Sequence, residues 1–108
     1  DEIELSHGFF DYTEKYTLKT AKVHTPARID RETEARIKQT AAHIYKILQC
    51  SGLARVDLFL TRNKQIYFGE VNTIPGFTVH SRYPNMLKQI GLEFPDLLDL
   101  LIRLGLKR

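Results

Sequence analysis

The sequence has few of the features that mark secreted, membrane-spanning or nucleic-acid-binding proteins. Its single cysteine, Cys50, excludes an intramolecular disulfide. No apolar run is long enough to cross a membrane and no signal peptide is visible, so a cytoplasmic location is expected. The net charge is only +3, and lysine and arginine are scattered among acids. This scatter argues against nucleic acid as a partner, because a nucleic-acid groove needs clustered basic residues beside stacking aromatic side chains.

A hairpin is predicted over the middle of the chain. Residues 53–60 and 66–72 are rich in apolar, β-branched and aromatic side chains, and the polar break between them is centred on residues 63–64. If that turn closes symmetrically, Asp57 lies opposite Glu70. Like charges opposite each other destabilise a sheet, since their repulsion at about 5 Å and an effective dielectric near 20 is roughly 3 kcal/mol. A cation is therefore expected beside this pair.

Two candidates for that cation follow from the same register. The symmetric turn pairs Arg55 with Asn72, and alternation along the strands puts both on the face of Asp57 and Glu70. Oxygens from two carboxylates and an amide suit a hard divalent metal such as Mg²⁺, with waters and phosphates completing its coordination. Arg55 alone could instead neutralise the acids in a structural ion-pair cluster. The residues leave both interpretations open.

The second strand runs directly into a proline-glycine turn at Pro75 and Gly76. Glycine offers its backbone N–H with no side chain in the way, and such a donor beside a metal can stabilise an oxyanion. Pro-Gly is also an ordinary turn signal. The turn alone therefore does not decide between a catalytic and a structural role.

Together these motifs resemble the carboxy-terminal catalytic lobe of the D-alanine:D-alanine ligases, which are members of the ATP-grasp superfamily. The matching pattern is Arg55-x-Asp57 followed by Glu70-x-Asn72-Thr73-x-Pro75-Gly76-x-Thr78-x-x-Ser81. The run from Gly8 to Tyr16 matches the family's mobile loop. The resemblance implies an α+β fold, with a mostly antiparallel sheet and helices packed on it, over a single domain at 1–108.

The resemblance also implies a chemistry. ATP would phosphorylate the carboxylate of a first D-alanine, and a second substrate would attack the acyl phosphate, in peptidoglycan precursor synthesis. Asp57, Glu70 and Asn72 would hold Mg²⁺, or Mn²⁺ in its place, against the ATP phosphates. Arg55 and the Gly76 N–H would stabilise the charge that develops during transfer. No covalent enzyme intermediate is expected.

Two further residues are assigned to the mobile loop by the resemblance. Lys15 would lie near the ATP phosphates, and Tyr16 would hydrogen-bond to groups in the absent part of the enzyme. Loop closure would exclude water from a hydrolysable acyl phosphate. On the residues alone, an ordinary solvated loop with one basic residue is the favoured interpretation of this stretch, because loops are usually polar.

Ser81 and Arg82 fall where the family reads its second substrate, and Ser81 would hold the substrate carboxylate. Ordinary members usually have Ser-Leu here, whereas Ser-Arg-Tyr-Pro resembles the vancomycin-resistance ligases that make D-alanyl-D-serine or D-alanyl-D-lactate. Arginine can donate to a hydroxyl that leucine cannot recognise. Retention of Lys15 and Tyr16 argues against lactate, so D-serine is favoured over D-alanine. The alternative for Arg82 is a surface residue tied to a nearby acid.

The chain also departs from the family in two places and covers only part of a member. Gly69 replaces a more usual Asn or Leu, and Val79 replaces a frequent Ser; a glycine here can mark a bulge that moves Glu70. The amino-terminal and central domains are absent, so an excised fragment without activity of its own is expected, from a homodimeric parent enzyme. Two alternatives are another ATP-grasp carboxylate:amine ligase and a non-catalytic interaction module with this fold.

Helices are predicted at three places. Asp30 is the expected N-cap of a helix over residues 31–49, with Gly52 completing its end. A short helix is predicted over residues 84–90. The last helix is expected to begin near Pro95, which suits a first turn.

Overall fold

The computed structural model describes residues 1–4 and 22–108. Its elements are β1 (Glu2–Glu4), β2 (Lys22–His24), α1 (Arg31–Ile47), β3 (Arg55–Leu60), β4 (Ile66–Asn72), α2 (Arg82–Gln89) and α3 (Phe94–Leu106). β1 pairs antiparallel with β2, and β3 with β4, which gives two separate two-stranded sheets. The expected α+β fold with antiparallel pairing is therefore confirmed.

The start of α1 follows the sequence prediction. Asp30 is extended, and its carboxylate accepts the backbone N–H of Thr33 at 3.3 Å. The Thr33 hydroxyl donates to the same carboxylate, and Thr33 is fully buried. This capping satisfies a backbone donor that the first helical turn leaves free.

The end of α1 differs from the prediction. The helix stops at Ile47, and the residue that ends it in a left-handed conformation is Gln49, with φ of 54°. Gly52 is also left-handed, with φ of 72°, but it does not form the helix end. Cys50 N–H donates to the Tyr45 carbonyl and Gln49 N–H to the Lys46 carbonyl, each at 3.0 Å. These two bonds form a Schellman motif, which usually places glycine where Gln49 stands. Gly52 lies further along, in the connection to β3.

The core lies where α1 packs on β3 and where α2 packs on α3. Leu97 of α3 is fully buried, and the rings of Phe77 and Phe94 stack at an angle of 40° with centroids 5.2 Å apart. The Phe77–Phe94 contact ties the segment after β4 to the beginning of α3. Among the described residues, no helix has both the length and the apolar character needed to cross a membrane.

Candidate active site

The β3–β4 hairpin closes one residue away from the symmetric turn expected from the sequence. Leu60 pairs with Ile66, and Thr61 N–H donates to the Gln65 carbonyl at 2.9 Å, so the turn is centred on Asn63 alone. If this register continued, the strand position opposite Asp57 would be residue 69. The symmetric turn is thus wrong in detail.

A β-bulge at Gly69 restores the expected pairing. Leu58 pairs with Phe68, but Asp57 pairs with Glu70, which leaves Gly69 as the extra residue. A Cβ atom on Gly69 would lie 2.8 Å from the Asp57 carbonyl oxygen, so the close approach requires glycine. The bulge therefore keeps Glu70 opposite Asp57, as predicted, although the turn does not close symmetrically.

Arg55 lies between the two acids and compensates one of their two negative charges. Its Nε donates to Asp57 Oδ1 at 2.8 Å and its Nη2 to Asp57 Oδ2 at 2.9 Å, while Nη2 is 3.6 Å from Glu70 Oε1. Hydrogen bonding to Asp57 raises the pKa of the Arg55 guanidinium. Arg55 is therefore one cation beside the acids, and its single charge leaves one negative charge on the pair. The side chains of Asp57 and Glu70 remain 40% and 60% exposed, so both carboxylates face solvent.

Asn72 is the register partner of Arg55, as predicted, and its side chain shapes the exit from β4. Its Oδ1 accepts the backbone N–H of Ile74 at 3.0 Å, which forms an Asx turn. An amide oxygen has two lone pairs, so one remains for a further ligand. The turn fixes the Asn72 carboxamide at the same end of the hairpin as the two acids.

The segment after β4 brings Gly76 and Ser81 together. A Cβ on Gly76 would lie 3.1 Å from Ser81 Oγ, so glycine permits the serine hydroxyl to approach the backbone. Ser81 Oγ accepts the Thr78 N–H at 2.9 Å and lies 2.9 Å from Thr78 Oγ1. The predicted oxyanion residue and the predicted substrate residue are therefore neighbours.

Arg82 pairs with the first residue of the chain. Its Nε donates to Asp1 Oδ2 at 2.7 Å, and the Asp1 side chain is only 7% exposed. Partial burial lowers the pKa of the Arg82 guanidinium, but arginine stays charged. The alternative of a residue tied to a nearby acid is realised in this contact. Within residues 1–4 and 22–108, the other guanidinium N–H groups of Arg82 make no hydrogen bond.

Some site residues were missed by the sequence reasoning, and others cannot be compared. Lys15 and Tyr16 lie outside the described residues. Asp1 was missed because 81 positions separate it from Arg82. Thr78 was part of the recognised motif without a role, and its spacing of three residues from Ser81 was the only signal. Asn85, whose amide donates to the Val79 and Ser81 carbonyls at 2.9 and 2.8 Å, was not singled out either.

Comparison with known proteins identifies the family. The family model described as D-ala D-ala ligase C-terminus matches residues 1–103. The chain belongs to the D-alanine–D-alanine ligase family. Among relatives of this ligase lobe, the vancomycin C-type resistance protein VanC2 of Enterococcus casseliflavus is 45% identical, over 97% of the chain and 30% of the relative. The D-alanine–D-alanine ligase of Wigglesworthia glossinidia brevipalpis is 47% identical, over 95% and 29%.

Solved structures agree with the family assignment. The VanG D-Ala:D-Ser ligase from Enterococcus faecalis is 66% identical to the ligase lobe, with a TM-score of 0.79 over 95% of this chain and 30% of that one. A Bacillus anthracis D-alanine–D-alanine ligase complexed with ATP is 33% identical, with a TM-score of 0.71 over 75% of this chain and 28% of that one. The lobe thus spans about 30% of the length of the relatives it matches.

Proposed function

We propose that the chain is the carboxy-terminal lobe of an ATP- and Mg²⁺-dependent ligase that joins D-alanine to a second D-amino acid through an acyl phosphate, for peptidoglycan precursor synthesis. The observation that carries the proposal is the fixed Arg55 guanidinium between Asp57 and Glu70, on a solvent-facing side of the hairpin. Such a site has preformed positive and negative charge at a place where a phosphoryl group can approach.

The donor set fits a hard divalent cation. Asp57, Glu70 and Asn72 supply two exposed carboxylates and an amide oxygen at one end of the hairpin. The described residues contain no group of three or more His, Cys, Asp and Glu side chains that could hold a metal. The proposed ligand set consists of two acids and one amide, and Mn²⁺ is the alternative to Mg²⁺. When bound, the metal would neutralise charge on the ATP phosphates.

The lobe's own residues would act by positioning and charge. Arg55 is oriented by its bidentate bond to Asp57, so it can meet negative charge on a transferring phosphoryl group without reorganising. Asn72 lies opposite Arg55 and would contact the nucleotide phosphates as well as the metal. The Gly76 N–H and the Ser81 hydroxyl, close to each other, would serve the oxyanion and the carboxylate of the second substrate.

Other parts of the proposal rest on the family and not on described contacts. Lys15 would contact phosphate, and Tyr16 would hydrogen-bond to the domains that bind the first D-alanine and adenine. A single domain over 1–108, a homodimeric parent enzyme, a cytoplasmic location and the lack of activity in the isolated lobe all stay predictions.

The direct test substitutes Glu70→Gln in a full-length ligase that carries this lobe. Removing one of two carboxylates should lower turnover of ATP with both amino acids by at least about a hundredfold and raise the Mg²⁺ concentration needed for half-maximal rate. The matched control is Glu32→Gln, which alters an exposed glutamate in the first turn of α1. Unchanged turnover in Glu70→Gln would favour a non-catalytic interaction module.

D-serine is the proposed second substrate. The support is Arg82, which Asp1 holds through Nε and whose other N–H groups have no partner in the part of the chain that the structure describes, so they can donate to a substrate hydroxyl. In the full-length ligase, Arg82→Leu should lower kcat/KM for D-serine about tenfold or more while that for D-alanine changes less. Equal losses for both amino acids would remove Arg82 from substrate selection, and a wild-type preference for D-alanine or D-lactate would overturn the choice of D-serine.

A further inference from the structure

The turn from Thr78 to Ser81 contains two backbone donors that both point at hydroxyl oxygens. Thr78 N–H donates to Ser81 Oγ at 2.9 Å, and His80 N–H donates to Thr78 Oγ1 at 3.3 Å. The two hydroxyl oxygens are 2.9 Å apart, within hydrogen-bond distance. Ser81 N–H donates to the Thr78 carbonyl at 3.0 Å and closes the turn.

These contacts determine how many hydroxyl protons Thr78 and Ser81 can donate to another group. A backbone N–H can only donate, so each hydroxyl oxygen already accepts one bond. One hydroxyl proton is used between Thr78 and Ser81, which leaves the other to point outward. The pair therefore offers a donor to an incoming group, and an anion beside Ser81 favours the arrangement in which Thr78 donates to Ser81.

The Ser81 hydroxyl is not used by the helix that follows. Ser81 is the N-cap of α2, yet its side chain makes no capping bond. A capping serine commonly accepts the N–H of the third helical residue, but that residue is Pro84, which has none. Ser81 Oγ turns back toward Thr78 instead.

We propose that Thr78 is a positioning residue, whose hydroxyl donates to Ser81 Oγ and so directs the Ser81 proton at the carboxylate of the second amino acid. This inference deepens the proposed function and rests on it. Thr78 itself need not touch the substrate. The Asn85 amide braces the turn by donating to the carbonyls of Val79 and Ser81, which keeps the two hydroxyls at a fixed separation.

The test compares Thr78→Val, which keeps the shape and removes the hydroxyl, with Thr78→Ser, which keeps the hydroxyl, both in the full-length ligase. Thr78→Val should raise KM for the second amino acid about tenfold, because a hydrogen bond to a charged group is weakened, with kcat and KM for ATP within about twofold. Thr78→Ser should restore the wild-type KM. Thr78→Ala replaces Thr78→Val if valine prevents folding.

A double-mutant cycle makes the test specific. In the Ser81→Ala background, Thr78→Val should change KM by less than about twofold, since the hydroxyl it orients is already absent. Independent effects of the two substitutions, or the same KM in Thr78→Val and Thr78→Ser, would overturn the role of Thr78. A wild-type ligase that condenses no amino acids would instead overturn the proposed function.

Discussion

At the scale of single residues, two carboxylates outside the site carry unusually low pKa values. The Glu2 pKa is lowered to about 2, chiefly because the Arg28 side chain donates to it, with Nη2 at 2.8 Å from Oε1. The Asp30 pKa is also lowered to about 2, chiefly by the hydrogen bond from the Thr33 side chain. Hydrogen bonds that form only in the folded chain therefore favour the charged form of both acids.

The chain should lose stability in acid over the range that these pKa values define. The folded pKa of Glu2 is below its ordinary value of 4.5, so its contribution is complete above that pH and is lost as the pH falls toward about 2. Urea midpoints measured between these limits should fall with pH in the wild type and less steeply in Glu2→Gln. Glu32→Gln serves as the control and should follow the wild type. Parallel curves for Glu2→Gln and wild type would contradict the prediction.

At the scale of elements, the sequence predicts which helices and strands exist better than it predicts the residues at which they begin and end. The apolar runs and the polar break predicted the hairpin, and the Asp30 cap predicted the start of α1. The bulge at Gly69 was only one option, because a strand glycine also has other causes. The end of α1 could not be predicted, because no sequence signal marks a glutamine that adopts a left-handed conformation. The chain after α2 is different, since the left-handed position there, with φ of 97°, is occupied by glycine, Gly91, as is usual.

Gln49→Gly should stabilise the chain by about 1 kcal/mol, because glycine adopts the left-handed conformation without the steric cost that a Cβ brings. Urea unfolding of Gln49→Gly and of the wild type measures the change in the free energy of unfolding. Gln49→Ala is the control and should give no comparable gain, since alanine keeps the Cβ. A gain of the same size in both would show that backbone strain at residue 49 is not the cause.

Gly69→Ala should destabilise the hairpin by about 1–2 kcal/mol, since the new Cβ would collide with the Asp57 carbonyl oxygen and make a tight contact with the Phe59 ring. In the full-length ligase it should also raise the Mg²⁺ requirement, because a shift of the strand separates Glu70 from Asp57. Gly105→Ala, at a position with open space, is the matched control for stability. An unchanged urea midpoint in Gly69→Ala would mean that the bulge opens without cost.

At the scale of the whole molecule, the hairpin leaves a large apolar surface uncovered. Phe59 and Tyr67 pair across the strands and are 64% and 56% exposed, on the side that carries Asp57 and Glu70. Within residues 1–4 and 22–108, neither β3 nor β4 has a second neighbouring strand. The family resemblance predicted this lobe correctly, but it did not show the Asp1–Arg82 contact, which depends on how distant segments meet.

The 108-residue chain should self-associate at high concentration, because exposed aromatic side chains and open strand edges favour contact between copies. Light scattering should show species larger than a monomer, and the double variant Phe59→Thr with Tyr67→Thr should shift the population toward monomer. Ile74→Thr, which changes an exposed apolar residue outside the strands, is the control. A purely monomeric wild type at high concentration would refute the prediction.

The bulge at Gly69 determines how the hairpin would respond to deletion of one residue. Losing one residue from a strand normally inverts every side chain beyond the gap. Here Leu58–Phe68 and Asp57–Glu70 are consecutive residue pairs of the sheet, and Gly69 is the unpaired bulge residue between them. Deletion of Gly69 would therefore keep both acids on the same face of the hairpin. Position 69 should therefore accept shortening more readily than exchange for a larger amino acid.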